Sequence, residues 1–215
     1  MYESLIGGKS FKYFSSIPRK ELLSRLKIDE KTVKAAEELV PRKLLDDSDH
    51  IMCVHSRRGD FVWAKIQAHA TEDFIVPAVE LLHERVIDKH KSKKALVVFI
   101  GDDRPWLEGL VKKMKVTAIV AGQNTSSTAP NTLSPIADWA FSTRHCDSTL
   151  LAASSSTFGW WLAYLSKGNE VYYNSVASKP RGFMNTFDPA DFFPSEWTPL
   201  EYDISTKSVG VRPPY

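Results

Sequence analysis

The sequence predicts an α/β fold in which helices cover a parallel β-sheet. Short apolar runs alternate along the chain with amphipathic segments of helical period, and this alternation is typical of such a sheet. The run from Ala95 to Ile100 is apolar throughout, as expected of a strand that is buried on both faces. The chain has 215 residues, of which 43% are hydrophobic and 25% charged. It can therefore form one large or two small domains with a sizeable core.

The first predicted elements are helical. Residues 17–45 carry two amphipathic runs, the first opened by Pro18 and the second ended by Pro41, which predicts a helical unit over residues 1–47. Apolar runs predict strands over 51–56, 95–100, 116–120, 148–153 and 170–174. Helical spacing and terminal residues predict helices over 71–89, 102–115, 134–141 and 157–166, the last closed by Gly168.

These elements define one sheet domain over residues 48–180, with about five parallel strands ending at residue 174. Residues 181–215 are aromatic and rich in proline, and we predict a tail that wraps the domain. Residues 122–134 are rich in Asn, Thr and Ser, which predicts a flexible loop. This loop contains an Asn-x-Ser sequon at Asn124, which matters only if the chain is secreted.

Charge and cysteine content exclude several classes of protein. The net charge is +2 and the basic residues are interspersed with acids, so no nucleic-acid partner is predicted. Cys53 and Cys146 are too few for a disulfide framework, and they leave the redox compartment open. Cys53 lies in a predicted strand, where we expect a free cysteine that packs as a small hydrophobe. The six histidines lack metal-ligand spacing, so no metal site is predicted.

Residues 55–60, His-Ser-Arg-Arg-Gly-Asp, are the most informative segment. Arginine is rarely buried without a partner, and its planar fork suits bidentate binding of phosphate or carboxylate. Ligands of open α/β sheets bind beyond the carboxyl ends of the strands. An arginine pair at the end of a strand therefore indicates either an anion site or a surface loop with Arg–Asp ion pairs.

Four hydroxyl residues, Ser154 to Thr157, precede the predicted helix at 157–166. Hydroxyls and free N–H groups at a helix N-terminus bind anions, and an N-cap alone needs a single serine. This excess of hydroxyls favours phosphate binding. The aromatic side chains that follow, beginning with Phe158, are more typical of a packed core than of a sugar platform.

Four segments together carry a family resemblance. Residues 55–61, His-Ser-Arg-Arg-Gly-Asp-Phe, resemble the first donor-binding motif of the α1,2-, α1,6- and protein O-fucosyltransferases, and are closest to the α1,2-fucosyltransferases of glycosyltransferase family 11. Three further segments agree in order and spacing: Phe-Ile-Gly-Asp-Asp-Arg-Pro-Trp at 99–106, Ser-Ser-Thr-Phe-Gly-Trp-Trp-Leu-Ala-Tyr-Leu at 155–165, and Phe-Pro-Ser-Glu-Trp at 193–197. The resemblance covers about residues 10 to 200.

The resemblance implies a GT-B-type, Rossmann-like donor domain. Its implied activity is the inverting, metal-independent transfer of L-fucose from GDP-fucose to the 2-hydroxyl of a terminal galactose. The implied partners are GDP-fucose and a galactose-terminated glycan, with no metal cofactor. Two alternatives stay open: an inactive, truncated GDP-sugar- or glycan-binding remnant, and another type of fucosyltransferase.

Family members are Golgi proteins that face the lumen and carry an N-terminal membrane anchor and a stem. This chain has no apolar run near the roughly 20 residues that cross a bilayer, and no signal peptide at its start. The resemblance begins almost at the first residue. We therefore expect a C-terminal part of a longer protein, in which residues 1–47 are a remnant of an N-terminal, acceptor-side domain.

The resemblance also implies roles for the residues of the first motif. Arg57 and Arg58 would stabilise the charge that builds on the β-phosphate, with Arg57 as the first contact and Arg58 as the second. His55 lies near the guanine, or is a packed core histidine. Asp60 orients the arginine pair, or deprotonates the acceptor hydroxyl. The two arginines favour orientation, because they lower the pKa of a neighbouring acid.

Other segments supply further donor contacts. Asp138 stands where related enzymes carry an acid that reads guanine, or is an acid favoured at a helix start by the helix dipole. Asp102 closes over the ribose, or caps a helix with Asp103. The remaining donor-binding predictions are Ser155, Ser156, Thr157 and Phe158.

Overall fold

A seven-stranded sheet runs through the centre of the chain. The structure, a computed structural model, describes residues 11–13, 15–25, 27–64, 67–122, 135–177 and 188–213. Its strands are β1 (His50–Ser56), β2 (Ala95–Gly101), β3 (Ala118–Val120), β4 (Ser148–Leu151), β5 (Glu170–Asn174), β6 (Thr198–Asp203) and β7 (Ser208–Val211). The order is β3-β2-β1-β4-β5-β6-β7, and all neighbours are parallel except β6 and β7. The predicted α/β fold with a parallel sheet is confirmed.

Helices and one 3₁₀ turn (Phe11–Tyr13) connect and cover these strands. They are α1 (Arg19–Arg25), α2 (Glu30–Glu37), α3 (Arg42–Asp46), α4 (Gly59–Ala64), α5 (Glu72–His90), α6 (Arg104–Val111), α7 (Pro135–His145), α8 (Thr157–Tyr164) and α9 (Pro189–Phe192). The longest, α5, has 19 residues, and none of the helices in the described segments is both long and apolar enough to span a bilayer. The predicted loop, with its sequon at Asn124, lies outside the described residues apart from its first residue.

The core lies on both faces of the sheet, which explains why β1 and β2 are buried along nearly their whole length. Successive side chains of a strand point to opposite faces. Met52 and Val54 of β1 therefore pack with α5 and α6, whereas Ile51 and Cys53 pack with α2 and α7. The same alternation sends the residues that follow β1 to opposite sides of the sheet.

The strand order creates a crevice beside β1. From β1 the chain proceeds outward through β2 and β3, then returns to place β4 on the other side of β1. Ligands of open α/β sheets bind at such a reversal, beyond the carboxyl ends of the strands. At this end, His55 is opposite Leu151 of β4, and the Ala152 N–H donates to the His55 carbonyl at 3.0 Å.

The C-terminal region contributes more to the sheet than the sequence predicts. The prediction ends the sheet at residue 174, but β6 pairs in parallel with β5, and β7 returns antiparallel to β6. Pro199 lies inside β6, and a proline within an apolar run argues against a strand on sequence grounds. Tertiary pairing overrides that local signal. Helix α4 was also not predicted, and its Val62 N–H donates to the Arg58 carbonyl at 2.7 Å.

Two smaller predictions are wrong. Cys53 is not free, because it forms a disulfide with Cys146 across a sequence separation of 93. That pairing joins β1 to the residue after α7, and no local pattern reveals it. Gly168 does not terminate α8, which ends at Tyr164. Gly168 instead packs against the backbone of Asp147, where a Cβ would clash.

Candidate functional site

A cavity of about 260 Å³ opens at the carboxyl ends of β1 and β2. Its lining comes from the ends of these strands, the start of α7 and the start of α8. The lining residues are His55, Ser56, Arg57, Gly101, Asp102, Pro135, Asp138 and Phe158. The cavity therefore lies beside β1, where the strand order reverses, and it gathers residues more than 100 positions apart along the chain.

Arg57 places a fixed cation at this cavity. Its Nε donates to Asp60 Oδ1 at 2.9 Å, and its Nη2 lies 2.8 Å from the same oxygen. Its Nη1 lies 3.2 Å from Asp102 Oδ2. A guanidinium has five N–H donors, so one N–H on each of Nη1 and Nη2 is left for a ligand. The side chain is 39% exposed, so a ligand can reach these donors.

Asp102 holds two neighbouring residues at once. Its Oδ2 pairs with Arg57, and its Oδ1 accepts the Arg58 backbone N–H at 2.9 Å. A Cβ on Gly59 would lie 2.6 Å from Asp102 Oδ2, so a side chain at this position would displace the carboxylate. Asp103 caps the start of α6, as one of the two interpretations predicted, and its side chain accepts a hydrogen bond from the Trp106 N–H. Asp102 instead lines the cavity.

Arg58 has a different set of partners from Arg57. Its Nε donates to Asp103 Oδ2 at 3.1 Å and its Nη1 to the Ala70 carbonyl at 2.7 Å. Its guanidinium carbon lies 3.9 Å from the centroid of a Trp106 ring. The side chain is 17% exposed and does not belong to the cavity lining described above.

His55 forms a buried wall of the cavity. It is 2% exposed, and its ring centroid lies 5.7 Å from that of Phe158. Burial lowers the pKa of His55 to about 3, with a further lowering by the charge on Arg57. The imidazole is therefore neutral near pH 7. Its buried Nδ1 finds no hydrogen-bond partner within the described part of the chain.

Asp138 supplies a second titratable group. It lies in the first turn of α7, as expected of an acid at a helix start, and its side chain also lines the cavity. Burial raises the pKa of Asp138 to about 7, although the charge on Arg104 acts to lower it. Near neutral pH this carboxyl can therefore exist with or without its proton, and a ligand that donates hydrogen bonds would favour the ionised form.

Comparison with known proteins identifies the family. The model of glycosyl transferase family 11 matches residues 7–201. The chain belongs to this family. A galactoside 2-alpha-L-fucosyltransferase of Caenorhabditis elegans is 34% identical over 216 residues, covering 93% of this chain and 52% of that protein. The galactoside alpha-(1,2)-fucosyltransferase 2 of Mus musculus is 26% identical over 154 residues, covering 71% of this chain and 41% of that protein.

The chain spans about half the length of the curated relatives it matches. Among solved structures, the crystal structure of POFUT1 in complex with GDP gives a TM-score of 0.42 at 13% identity, covering 72% of this chain and 54% of that chain. A likeness of this size is too low to bear on the site.

The structure brings most of the predicted site residues of this family 11 chain to one edge of the sheet. His55, Arg57, Asp102, Asp138 and Phe158 share the cavity. Asp60 lies next to it through its pairing with Arg57. Arg58 does not line the cavity, and its side chain is held by Asp103, Ala70 and Trp106.

The predicted hydroxyl cluster follows β4 at the same edge, outside the described lining of the cavity. Ser156 caps α8 and accepts the Gly159 N–H at 3.2 Å. Ser154 is committed to the Asn174 carbonyl, to which its hydroxyl donates at 2.6 Å. Ser155 is buried, and its hydroxyl has no partner among the described residues. Thr157, the first residue of α8, is exposed.

Sequence reasoning missed several lining residues. Ser56 ends β1 with a buried hydroxyl that has no partner within the described segments. Gly101 ends β2, and a Cβ there would lie 2.5 Å from the Ser56 carbonyl oxygen. A glycine at the end of a buried strand often marks a close approach of another backbone segment, so the sequence could have indicated this contact. Pro135 had no such signal, because only the tertiary fold brings the start of α7 to β1.

Proposed function

We propose that this chain forms the GDP-fucose-binding part of a galactoside α1,2-fucosyltransferase. The reaction would transfer L-fucose to the 2-hydroxyl of a terminal galactose on a glycan. Membership of glycosyl transferase family 11 supports this class of activity. The structural observation that supports it most is Arg57, a fixed cation with unused donors on both terminal nitrogens at a cavity beside β1.

The chemistry explains why a fixed arginine belongs there. Transfer breaks the bond between the fucose C1 and a β-phosphate oxygen, and the bonding electrons leave with GDP. The acceptor oxygen forms the new bond from the opposite face of the sugar, so the configuration at C1 inverts, and its proton passes to a base. Negative charge grows on the β-phosphate as the bond breaks. Donors fixed in advance at that position stabilise the transition state most.

The two anionic partners of Arg57 keep it in place for this task. Asp60 and Asp102 together restrain all three nitrogens of the guanidinium. An arginine fixed in advance loses little conformational freedom when it binds phosphate. We propose orientation of Arg57 as the role of Asp60. This fixed positive charge is also the basis for proposing a reaction that needs no metal ion.

The remaining phosphate contacts would come from the start of α8. The N–H groups of Thr157 and Phe158 lie in the first helical turn, where the helix offers them no acceptor. Such groups, with the hydroxyls of Ser155, Ser156 and Thr157, are suited to an anion. We propose them as the second contact to the diphosphate, opposite Arg57.

Guanine recognition would use the buried end of the cavity. Guanine presents N–H donors at N1 and N2, and a carboxylate that accepts from both distinguishes it from adenine. We propose Asp138, which lines the cavity, for this role. Its raised pKa means that two N–H donors of a bound guanine would favour the ionised form of the carboxyl. His55 would add a neutral imidazole to the wall of the same cavity. Asp102, at the rim, is the proposed ribose contact.

The disulfide between Cys53 and Cys146 supports an oxidising compartment as the place where this chain would act. Such bonds persist in oxidising compartments and are rare in the cytosol. We propose the lumen of the Golgi, where fucose would be added to glycans.

Two measurements test the proposal together. Calorimetry should show binding of GDP and much weaker binding of ADP, since the carboxylate of Asp138 favours guanine. A transferase that contains this part, incubated with labelled GDP-fucose and lactose, should give a fucosylated product that an α1,2-specific fucosidase cleaves, whereas this chain alone should give very little. Equal affinity for GDP and ADP would contradict the donor site. GDP binding without transfer by that transferase would support a GDP-sugar-binding role instead.

A further inference from the structure

We infer that Arg58 is a positioning residue, which fixes Arg57 through the Asp102–Asp103 turn and does not itself bind the donor phosphates. This inference rests on the proposed role of Arg57 as a phosphate contact. It separates two adjacent arginines that look equivalent in the sequence.

The surroundings of Arg58 commit its side chain elsewhere. It is ion-paired with Asp103, donates to the Ala70 carbonyl, and stacks on Trp106 at 3.9 Å. Cation–π contacts are strongest where the pair is shielded from water, and this side chain is only 17% exposed. A rotation toward the cavity would break all three contacts. It would also leave the Asp103 carboxylate without this cation.

The contacts join two turns that follow neighbouring strands. Asp102 and Asp103 follow β2, while Arg57 and Arg58 follow the neighbouring strand β1. Asp102 binds the Arg57 side chain and the Arg58 backbone N–H, and Asp103 binds the Arg58 side chain. Asp102 and Asp103 are adjacent in the chain, and each pairs with a different guanidinium group.

Arg58 therefore controls where Asp102 lies. Asp103 is fixed from two sides, because it caps α6 as well as pairing with Arg58. If the Arg58 side chain were lost, the turn would keep the helix cap and the bond from the Arg58 backbone N–H to Asp102, but it would lose the ion pair at Asp103. Asp102 would then be less well placed to hold the Arg57 Nη1. Displacements of this kind reduce binding and catalysis even when the altered residue touches no ligand.

Removal of Asp103 distinguishes a positioning role of Arg58 from direct binding of phosphate by Arg58. If Arg58 bound phosphate, Asp103 would compete with the ligand, and its removal would leave GDP affinity unchanged or increase it. If Arg58 is a positioning residue, removal of Asp103 weakens GDP binding. Asp103→Ser is the suitable variant, because serine still caps a helix but is too short to keep the ion pair.

The experiment measures GDP affinity by calorimetry in wild type, Asp103→Ser, Arg58→Ala and the double variant. We expect about tenfold weaker binding in Asp103→Ser, as for the loss of a charge-assisted contact. The double variant should be no weaker than Arg58→Ala, because both changes remove one interaction. Asp29→Ser is the matched control, since Asp29 caps α2 by the same chemistry and accepts the Thr32 N–H at 2.8 Å. Unchanged or tighter binding by Asp103→Ser would overturn the inference.

A second readout does not depend on GDP. The Arg57 Nε–Hε signal in a ¹⁵N-resolved NMR spectrum reports its hydrogen bond to Asp60. We expect this signal to shift or broaden in Asp103→Ser and not in Asp29→Ser. An unchanged signal would refute the positioning role. If the wild-type protein failed to bind GDP, the donor-site proposal would fall, and this signal alone would decide the role of Arg58.

Discussion

The imidazole of His55 occupies the space that a side chain on Gly159 would need. A Cβ at Gly159 would lie 2.7 Å from His55 Cε1, and closer still to Nδ1. His55 ends β1 and Gly159 lies inside α8, so the two elements approach each other at this point. Glycine inside a helix costs about 0.5–1 kcal/mol relative to alanine. The close contact with His55 explains why a glycine occupies position 159.

Gly159→Ala should therefore both destabilise the protein and weaken GDP binding. We expect a loss of about 1–3 kcal/mol in the free energy of unfolding, as for other overpacked cores, because His55 must move toward the cavity. Urea denaturation and calorimetry measure the two effects. Gly109→Ala is the control: Gly109 lies in α6 with open space around its Cα, and this change should stabilise the protein by about 0.5–1 kcal/mol. Similar results from the two variants would contradict the fit.

Arg57→Ala should weaken GDP binding by about 2–4 kcal/mol, because it removes charge-assisted contacts to the phosphates. Binding of guanosine, which lacks phosphates, should change far less. Arg42→Ala removes an exposed arginine that is paired with Asp46, and should leave both affinities unaltered. Equal losses for GDP and guanosine would show that Arg57 supports the fold and does not contact phosphate.

Metal removal should leave GDP affinity unchanged. Arg57 already provides a positive charge at the cavity, so the phosphates need no bridging cation there. In the described segments, no group of three or more His, Cys, Asp or Glu residues is arranged to hold a metal ion. Titrations in EDTA and in manganese should give the same dissociation constant. A strict requirement for manganese would contradict this view of the site.

Asp138 should make nucleobase binding depend on pH. Guanine binds the ionised carboxylate, whose pKa in the free protein is about 7. Guanosine affinity should therefore fall as the pH drops below 7, approaching about tenfold per pH unit. Guanosine is the suitable ligand because it has no phosphate that titrates in this range. In Asp138→Asn the affinity should be low and nearly constant between pH 6 and 8. A pH-independent wild type would exclude Asp138 from base recognition.

Asp138 should also make the stability of the folded protein depend on pH. The folded state raises the pKa of Asp138 from 3.8 to about 7, so the native protein binds this proton more tightly than the unfolded chain. Its contribution to stability is lost as the pH rises through that interval. At pH 8, Asp138→Asn should be more stable than wild type. Asp73→Asn, an exposed acid in the first turn of α5, is the control. His55 acts in the opposite direction, because its lowered pKa destabilises the fold as pH falls below 6.5.

Removal of the disulfide should destabilise the chain by about 2–5 kcal/mol. The bond closes a long loop between residues 53 and 146, which restricts the unfolded chain. Chemical denaturation of Cys53→Ala/Cys146→Ala against wild type measures the loss. In the unreduced, denatured wild type, thiol titration should detect no free cysteine. Two reactive thiols in that state would contradict the bond.

The sequence predicted the parts of the fold that depend on local pattern. Strand β5 was predicted at its observed bounds, and β1 and β2 within one residue at each end, because short, mainly apolar segments identify buried strands. It did not predict β6, which contains Pro199 and exists through pairing with β5 and β7. It also did not predict α4, where short length and β-branched Val62 give weak helical propensity.

At the site, the sequence predicted which residues belong to the motifs, but it did not predict the surroundings of their side chains. Arg57 and Asp138 could be selected from the sequence, but the raised pKa of Asp138 depends on burial by elements far away in the chain. The separate surroundings of Arg57 and Arg58 follow partly from strand alternation. The stacking of Arg58 on Trp106 required the structure, because no spacing rule relates two turns on neighbouring strands.

The borders of the sheet have a consequence for how these molecules meet one another. A border strand carries unpaired backbone N–H and C=O groups that can recruit a strand from a neighbouring copy. Within the described segments, the borders are β3, with three residues, and β7, with four. Strands this short offer a passing molecule few hydrogen bonds. The two seven-residue strands that shape the cavity, β1 and β2, lie inside the sheet, where no second chain can extend them.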